Sequence, residues 1–219
     1  MANKTTQTIY EMRSGVRRFL VLCIGVVIFV LFLVSADASV FTWIGGGASS
    51  VWKDPANWTP QEVPNAEDAS AQFTTPSSGT VTLQGNISVD RLWFMPGAGS
   101  YTLELPAKTS LAIMGFGIGN TSSKTQTFSV SGGDLQFENS ASSNEITFNT
   151  LNKGSVTFYD EANAGWGTFN NGSGYGATFF ANHSNAWSAT INNTGDGATI
   201  FGDISNAGSA VINNNSGVT

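Results

Sequence analysis

Residues 177–197 (ATFFANHSNAWSATINNTGDG) and 198–218 (ATIFGDISNAGSAVINNNSGV) are adjacent and agree at eleven of 21 positions. The matched pairs are Ala177/Ala198, Thr178/Thr199, Phe180/Phe201, Ser184/Ser205, Asn185/Asn206, Ala186/Ala207, Ser188/Ser209, Ala189/Ala210, Ile191/Ile212, Asn192/Asn213 and Asn193/Asn214. A 21-residue unit is too small to enclose a core. It must bury its apolar face against the next copy, which is the property of a solenoid. A finer period runs through the same half. An apolar residue preceded by a branched or polar one recurs at Phe128, Phe137, Phe148, Phe158, Phe169, Phe179, Ile191, Ile200 and Ile212, a mean step of 10.5 residues. Two strands per unit fit one coil of a parallel β-helix.

Strand alternation then sets which side chains face in. In Ala189-Thr190-Ile191 and Ala210-Val211-Ile212, the first and third residues share a face and are expected inside. Fifteen asparagines lie between Asn139 and Thr219. Asn192-Asn193 and Asn213-Asn214 are expected just after a strand, at corners, where asparagine tolerates left-handed backbone and can bond its own column through the amide. An antiparallel sandwich also has strands every 8 to 12 residues, but it has no reason to repeat side-chain identities at 21. Residues 41–125 show no clear period and hold all six prolines. The expected organisation is a leader over 1–38, a cap with irregular first coils over 39–125, and repeats over 126–219 that stop within a coil.

The leader is read from its three parts. A 16-residue apolar run opens with Phe19 and closes with Val34, after Arg13, Arg17 and Arg18 and before Ser35-Ala36-Asp37-Ala38. Basic residues, an apolar segment able to enter a bilayer as a helix, and an Ala-x-Ala spacing make a secretory signal, with cleavage expected between Ala38 and Ser39. An uncleaved inner-membrane anchor is the alternative, because the run approaches a spanning length. Cys23 is the sole cysteine and lies inside the run, so neither a lipid-modified cysteine nor a disulfide framework is expected.

Charge removes another class. The chain carries 15 Asp and Glu against 9 Lys and Arg, a net charge of −6. Downstream of Ala38 the balance is 13 acidic to 5 basic, or −8. Phosphate is repelled and no basic stripe offsets it, so no nucleic-acid partner is expected.

The segment over 41–73 (FTWIGGGASSVWKDPANWTPQEVPNAEDASAQF), with the Ala-Thr-Ile-x-Asn and Ser-Asn-Ala-Gly repeats, resembles the amino-terminal passenger regions of bacterial autotransporter proteins. The resemblance implies an all-β, right-handed parallel β-helix carried through the outer membrane by a carboxy-terminal barrel of the same polypeptide, with adhesion or surface display as its role. No terminal run of amphipathic ten-residue strands is present, so a passenger fragment, or a product without its translocator, is expected. The partner expected is a host-surface receptor or a glycan, and no cofactor.

Candidate sites are few. Asp160-Glu161 is the best acidic pair for a polysaccharide-degrading enzyme, but adjacency in a solvated turn is the simpler account, and no catalytic residue is assigned. His183 stands where the next repeat has Ile204, which argues against a general base. Gly195-Asp196-Gly197 matches one fragment of a calcium-binding nonapeptide without its tandem partners, so a turn and no metal is expected. Gly45-Gly46-Gly47 lacks the helix and lysine of a phosphate cradle. Tyr159, Phe180 and Phe201 fall 21 apart and are expected to stack in one column, with Trp166 and Trp187 in a second. Both columns are read as core or corner packing, with an outward ladder for glycan rings as the alternative. Trp43, Trp52, Trp58 and Phe73 are expected to close the amino end of the stack, with Asp54-Pro55 starting a short helical turn.

Overall fold

Short β-branched and aromatic runs, punctuated by Gly, Asn, Ser and Asp, become strands throughout the computed structural model, which describes residues 21–24, 27–30 and 39–215. The chain divides into two units, Met1–Asp37 and Ala38–Thr219. In the first, β1 (Val21–Ile24) and β2 (Val27–Val30) pair antiparallel. This differs from the helix expected of the apolar run, and no described helix is long and apolar enough to cross a membrane. Valine and isoleucine dominate both strands and favour extended backbone where no bilayer forces peptide groups to pair within a helix. The basic residues before the run, its remaining residues and Ala38 lie outside the described residues. Ser39 opens β3.

The second unit is a parallel β-solenoid. Its first sheet contains β3 (Ser39–Trp43), β5 (Ala66–Phe73), β7 (Asn86–Phe94), β9 (Ser110–Asn120), β11 (Asp134–Phe137), β13 (Ser155–Phe158), β15 (Ala177–Phe180) and β17 (Ala198–Phe201), stacked in that order, with β4 (Trp58–Thr59) antiparallel to β3 at the edge. Its second sheet stacks β6 (Gly79–Thr82), β8 (Tyr101–Pro106), β10 (Thr127–Ser131), β12 (Thr147–Leu151), β14 (Thr168–Asn171), β16 (Thr190–Thr194) and β18 (Val211–Asn215). A narrow third face follows the register of single parallel bridges joining Gly117, Ser142, Asn163, Asn185 and Asn206 in turn. Parallel pairing of every strand in both sheets except the short edge strand β4 excludes the sandwich.

Register partners reproduce the sequence repeat: Ala177 pairs with Ala198, and Ile191, Asn192 and Asn193 pair with Ile212, Asn213 and Asn214. The coil length is not constant, however. Thr147 pairs with Thr168 at 21 residues, but Thr168 pairs with Thr190 at 22. The extra residue sits in the turn after β14, where five residues (172–176) separate Asn171 from Ala177 and four separate Asn193 from Ala198. Upstream the coils vary more widely, from 21 residues between Ser70 and Arg91 through 24 between Ser110 and Asp134 to 30 between Ser39 and Ala69. The stretch without a visible period is therefore the same stack with unequal turns.

Two aromatic columns fill the interior of the repeated half. Phe137, Phe158, Phe180 and Phe201 stack at 4.7, 5.0 and 4.8 Å with interplanar angles of 10° or less. Phe128, Phe148 and Phe169 stack at 5.4 and 4.7 Å. These spacings equal the strand separation, so identical side chains in register stack without rotamer strain. Full burial of each ring contributes about 1.5–3 kcal/mol. Ala189 and Ile191 are fully buried, and Ala210 and Ile212 pack against the core, as the alternation predicts.

The outermost layer of the second sheet is amide. Asn170 donates to Asn149 at 2.9 Å, Asn192 to Asn170 at 2.8 Å and Asn213 to Asn192 at 2.9 Å. One position on and facing inward, Asn171 donates to Asn193 at 2.9 Å and Asn193 to Asn214 at 2.7 Å. The column bonding expected of these residues is present, but their placement at corners is corrected: they lie within β14, β16 and β18 in extended backbone. Side-chain amides that bond along the axis compensate for their weak strand preference.

Candidate functional site

A conspicuous surface feature lies on the third face and begins at β7. Trp93 and Phe116 stack at 5.1 Å with an interplanar angle of 26°. Their shape is set by glycine and by charge. A Cβ on Gly119 would come within 2.7 Å of the Trp93 ring, so only glycine lets the indole lie flat on the backbone of β9. The Arg91 guanidinium sits 5.3 Å from the Phe116 centroid and is held by Asp90 at 2.5 Å. Phe116 remains 51% exposed, an unusual state for a ring with no interior to fill. Beside it is a cleft of about 290 Å³ lined by Trp93, Phe116, Asn120, Thr121, Asn144 and Glu145. Glu145 is exposed and forms no ion pair among the described residues.

The register carries this face down the stack. Trp93 pairs with Gly119, and the bridges that follow place Asn144, Gly165, Trp187 and Gly208 at the same level of successive coils. Asn144, Gly165, Trp187 and Gly208 all adopt left-handed backbone, with φ of 51°, 52°, 49° and 56°. In three of those coils the side chain two residues earlier accepts the N–H of the left-handed residue: Ser142 from Asn144 at 3.3 Å, Asn163 from Gly165 at 3.2 Å and Asn206 from Gly208 at 3.1 Å. At Trp187 that bond is missing, and Asn185 Oδ1 is buried without a partner. Trp187 is 51% exposed and Trp166, on the neighbouring coil, 58%. The 22-residue coil sets Trp166 level with Ser188 and not with Trp187, so the column expected of the two tryptophans is corrected, and neither belongs to the core.

The column expected from Tyr159, Phe180 and Phe201 is corrected in one member. Phe158, not Tyr159, aligns with Phe180 and Phe201, because the 22-residue coil shifts the register by one. The ring of Phe180 is 1% exposed, so this column is interior and offers no ladder to solvent. For the same reason Phe179 and Ile200 are not inward members of the ten-residue period: Ile200 is 46% exposed.

Asp160 belongs to a corner column instead of an acidic centre. Asn139, Asp160, Asn182 and Asp203 all have left-handed φ, between 52° and 55°. The N–H of Asn139 donates to the Asp160 carboxylate at 3.1 Å, that of Asp160 to Asn182 Oδ1 at 3.1 Å, and that of Asn182 to the Asp203 carboxylate at 2.9 Å. Glu161 and His183 are exposed in the turns that follow. Asp196 accepts the Gly174 N–H at 2.8 Å, again a link between neighbouring turns. Among the described residues, no group of three or more His, Cys, Asp or Glu is placed to hold a metal ion.

At the amino end, Trp58 lies 5.1 Å from Trp43, 4.7 Å from Trp52 and 6.0 Å from Phe73. The cluster covers the first coil as expected. Asp54 caps a three-residue 3₁₀ turn, Pro55–Asn57, by accepting the Ala56 N–H at 3.0 Å. Gly45 and Gly47 line a cleft of about 350 Å³ with Trp43, Ser49, Ser77 and Tyr101, and the Gly47 N–H is taken by Asn57.

Sequence reasoning missed Trp93, Phe116, Gly119 and Glu145. Their association depends on a 26-residue coil between Trp93 and Gly119 that no repeat announces. For Trp187 a signal exists: in the matched Ser-Asn-Ala-x-Ser-Ala segments it stands against Gly208. No family model, curated protein or solved structure matches the chain.

Proposed function

We propose that the chain is an exported, non-enzymatic solenoid displayed at the cell surface in the manner of an autotransporter passenger, with an adhesive or display role. The observation that supports this reading is the division of labour within each coil. Strand backbone groups pair along the axis and the core is filled by stacked rings, so outward side chains that bond no neighbouring coil, such as the exposed Trp166 and Ile204, are free for contact. The basic and apolar leader before Ser39 gives such a rod a route out of the cytoplasm.

The test is protease treatment of intact cells, with an antibody to the Trp43–Trp58 region and an intact mass for the product. Surface digestion supports display; a species well above 23.0 kDa identifies a passenger fragment, and one near or below it a self-contained product. Protection from protease in intact cells with recovery in the inner-membrane fraction would replace display with an anchored protein. A carbohydrate-binding role is the second reading, favoured by the stack of half-buried Trp93 and exposed Phe116.

A further inference from the structure

Trp187 breaks the rule that its own column obeys. Its neighbours above and below, Gly165 and Gly208, are glycines in the same left-handed conformation, and both have the N–H bond that Trp187 lacks. The substitution strains the backbone, leaves Asn185 Oδ1 unpaired in the interior, and puts half of an indole into solvent. None of these changes helps the fold, and a local cost with no folding return is the mark of a functional position. Four coils away at the same register level lies Trp93, stacked on Phe116. At the spacing of stacked strands the two indoles are about 19 Å apart along the axis. Between them the column has only Gly119, Asn144 and Gly165, with Glu145 and Trp166 alongside.

We propose that this corner binds a neutral, extended oligosaccharide lying along the solenoid axis, with Trp93–Phe116 and Trp187 as stacking platforms and Glu145 accepting from sugar hydroxyls. The chemistry selects the ligand. A pyranose presents a face of C–H groups, which suits the negative face of an aromatic ring, and a rim of hydroxyls, which suits a carboxylate. The axial rise per coil is close to the length of one sugar unit in an extended glycan. Asp90, Glu145 and the acidic balance of the chain disfavour a polyanion. The inference deepens the adhesive reading by naming its ligand and rests on that reading for its biological sense, but the binding can be tested apart from location.

The experiment is titration of the purified full chain with neutral gluco-, galacto- and xylo-oligosaccharides of two to six units, beside a sulphated polysaccharide and an acidic peptide, followed by tryptophan fluorescence. Affinity is expected to rise with length up to about five units, since sugars stacked on both indoles must lie four coil intervals apart. Trp93→Ala with Phe116→Ala should weaken binding about tenfold or more, and Trp93→Tyr should keep it. Trp187→Gly separates binding from folding: it should weaken binding of the longer oligosaccharides while raising the melting temperature. Three results overturn the proposal: no neutral oligosaccharide bound, binding unchanged in all these variants, or a preference for the polyanion or the peptide. Binding by a protein that protease shaving finds inside the cell would sink surface display and leave this site standing; a surface protein that binds none of the probes would do the reverse.

Discussion

The coils before β10 and those after it use one architecture and two ways of holding it together. Upstream, coils of unequal length, from 21 to 30 residues, are fixed by large side chains that each occur once, such as the Trp43, Trp52, Trp58 and Phe73 cluster. Downstream, coils of 20 to 22 residues are fixed by columns in which the same residue recurs: phenylalanine inside, asparagine in the wall, left-handed Asn or Asp at a corner. A unique cluster concentrates stability in a few side chains, whereas a column spreads it over many equal neighbours. Substitutions should therefore cost most in the first region and grade finely in the second.

The largest effect is expected at Trp58, which is fully buried, touches three aromatic rings and donates to the Trp52 carbonyl at 2.8 Å. Trp58→Ala should lower stability by about 3–5 kcal/mol in denaturant unfolding, because the cavity opens against rigid neighbours. A loss below about 1 kcal/mol would mean that the end of the stack is held by something other than this cluster.

In the columns, Asn171 should matter most. It accepts from Thr150 at 2.6 Å and Thr178 at 2.9 Å, and donates to Asn193 and to the Ala198 carbonyl, both at 2.9 Å. Asn171→Ala strands buried partners in three coils and should cost about 2–3 kcal/mol, measured by the same unfolding assay. Asn171→Asp keeps the acceptor but loses both donations; it should be no better tolerated, and full tolerance would break the hub interpretation.

The two regions also differ in what could be read from sequence. Equal spacing exposed the repeats, the inward Ala189 and Ile191, and the asparagine columns, because a solenoid converts a sequence interval directly into a stacking distance. One inserted residue in the 172–176 turn was enough to put Tyr159 in place of Phe158, since a shift of one turns a strand residue to the other face. Upstream, the Trp43–Trp58 cap was visible as a density of tryptophans, but Trp93 and Phe116 were not visible as a pair, because unequal coils hide which residues become neighbours. The functional corner is the part least accessible to pattern reading: it consists of departures from the pattern.

Trp187→Gly inverts the usual sign. Relief of a left-handed tryptophan, and return of the N–H bond to Asn185 Oδ1, should raise stability by about 1 kcal/mol, even after allowing for the greater freedom of an unfolded glycine. Differential scanning calorimetry should show the higher transition. A lower one would mean that the Trp187 ring contributes packing that its exposure does not suggest, and the case for a functional tryptophan would lose its main support.

The smallest effect is expected at Asn170, one residue from Asn171 but on the outer side of the sheet. It bonds Asn149 and Asn192 in the same axial fashion, at 2.9 and 2.8 Å, yet it is only half-buried. Water can replace both partners there, so Asn170→Ala should cost about 0.5–1 kcal/mol, well below Asn171→Ala at the same level of the stack. The pair thus isolates burial from bonding pattern. Equal losses at the two positions would mean that the amide columns act through cooperative polarisation along the axis instead of through desolvation, and the outer column would then be as structural as the inner one.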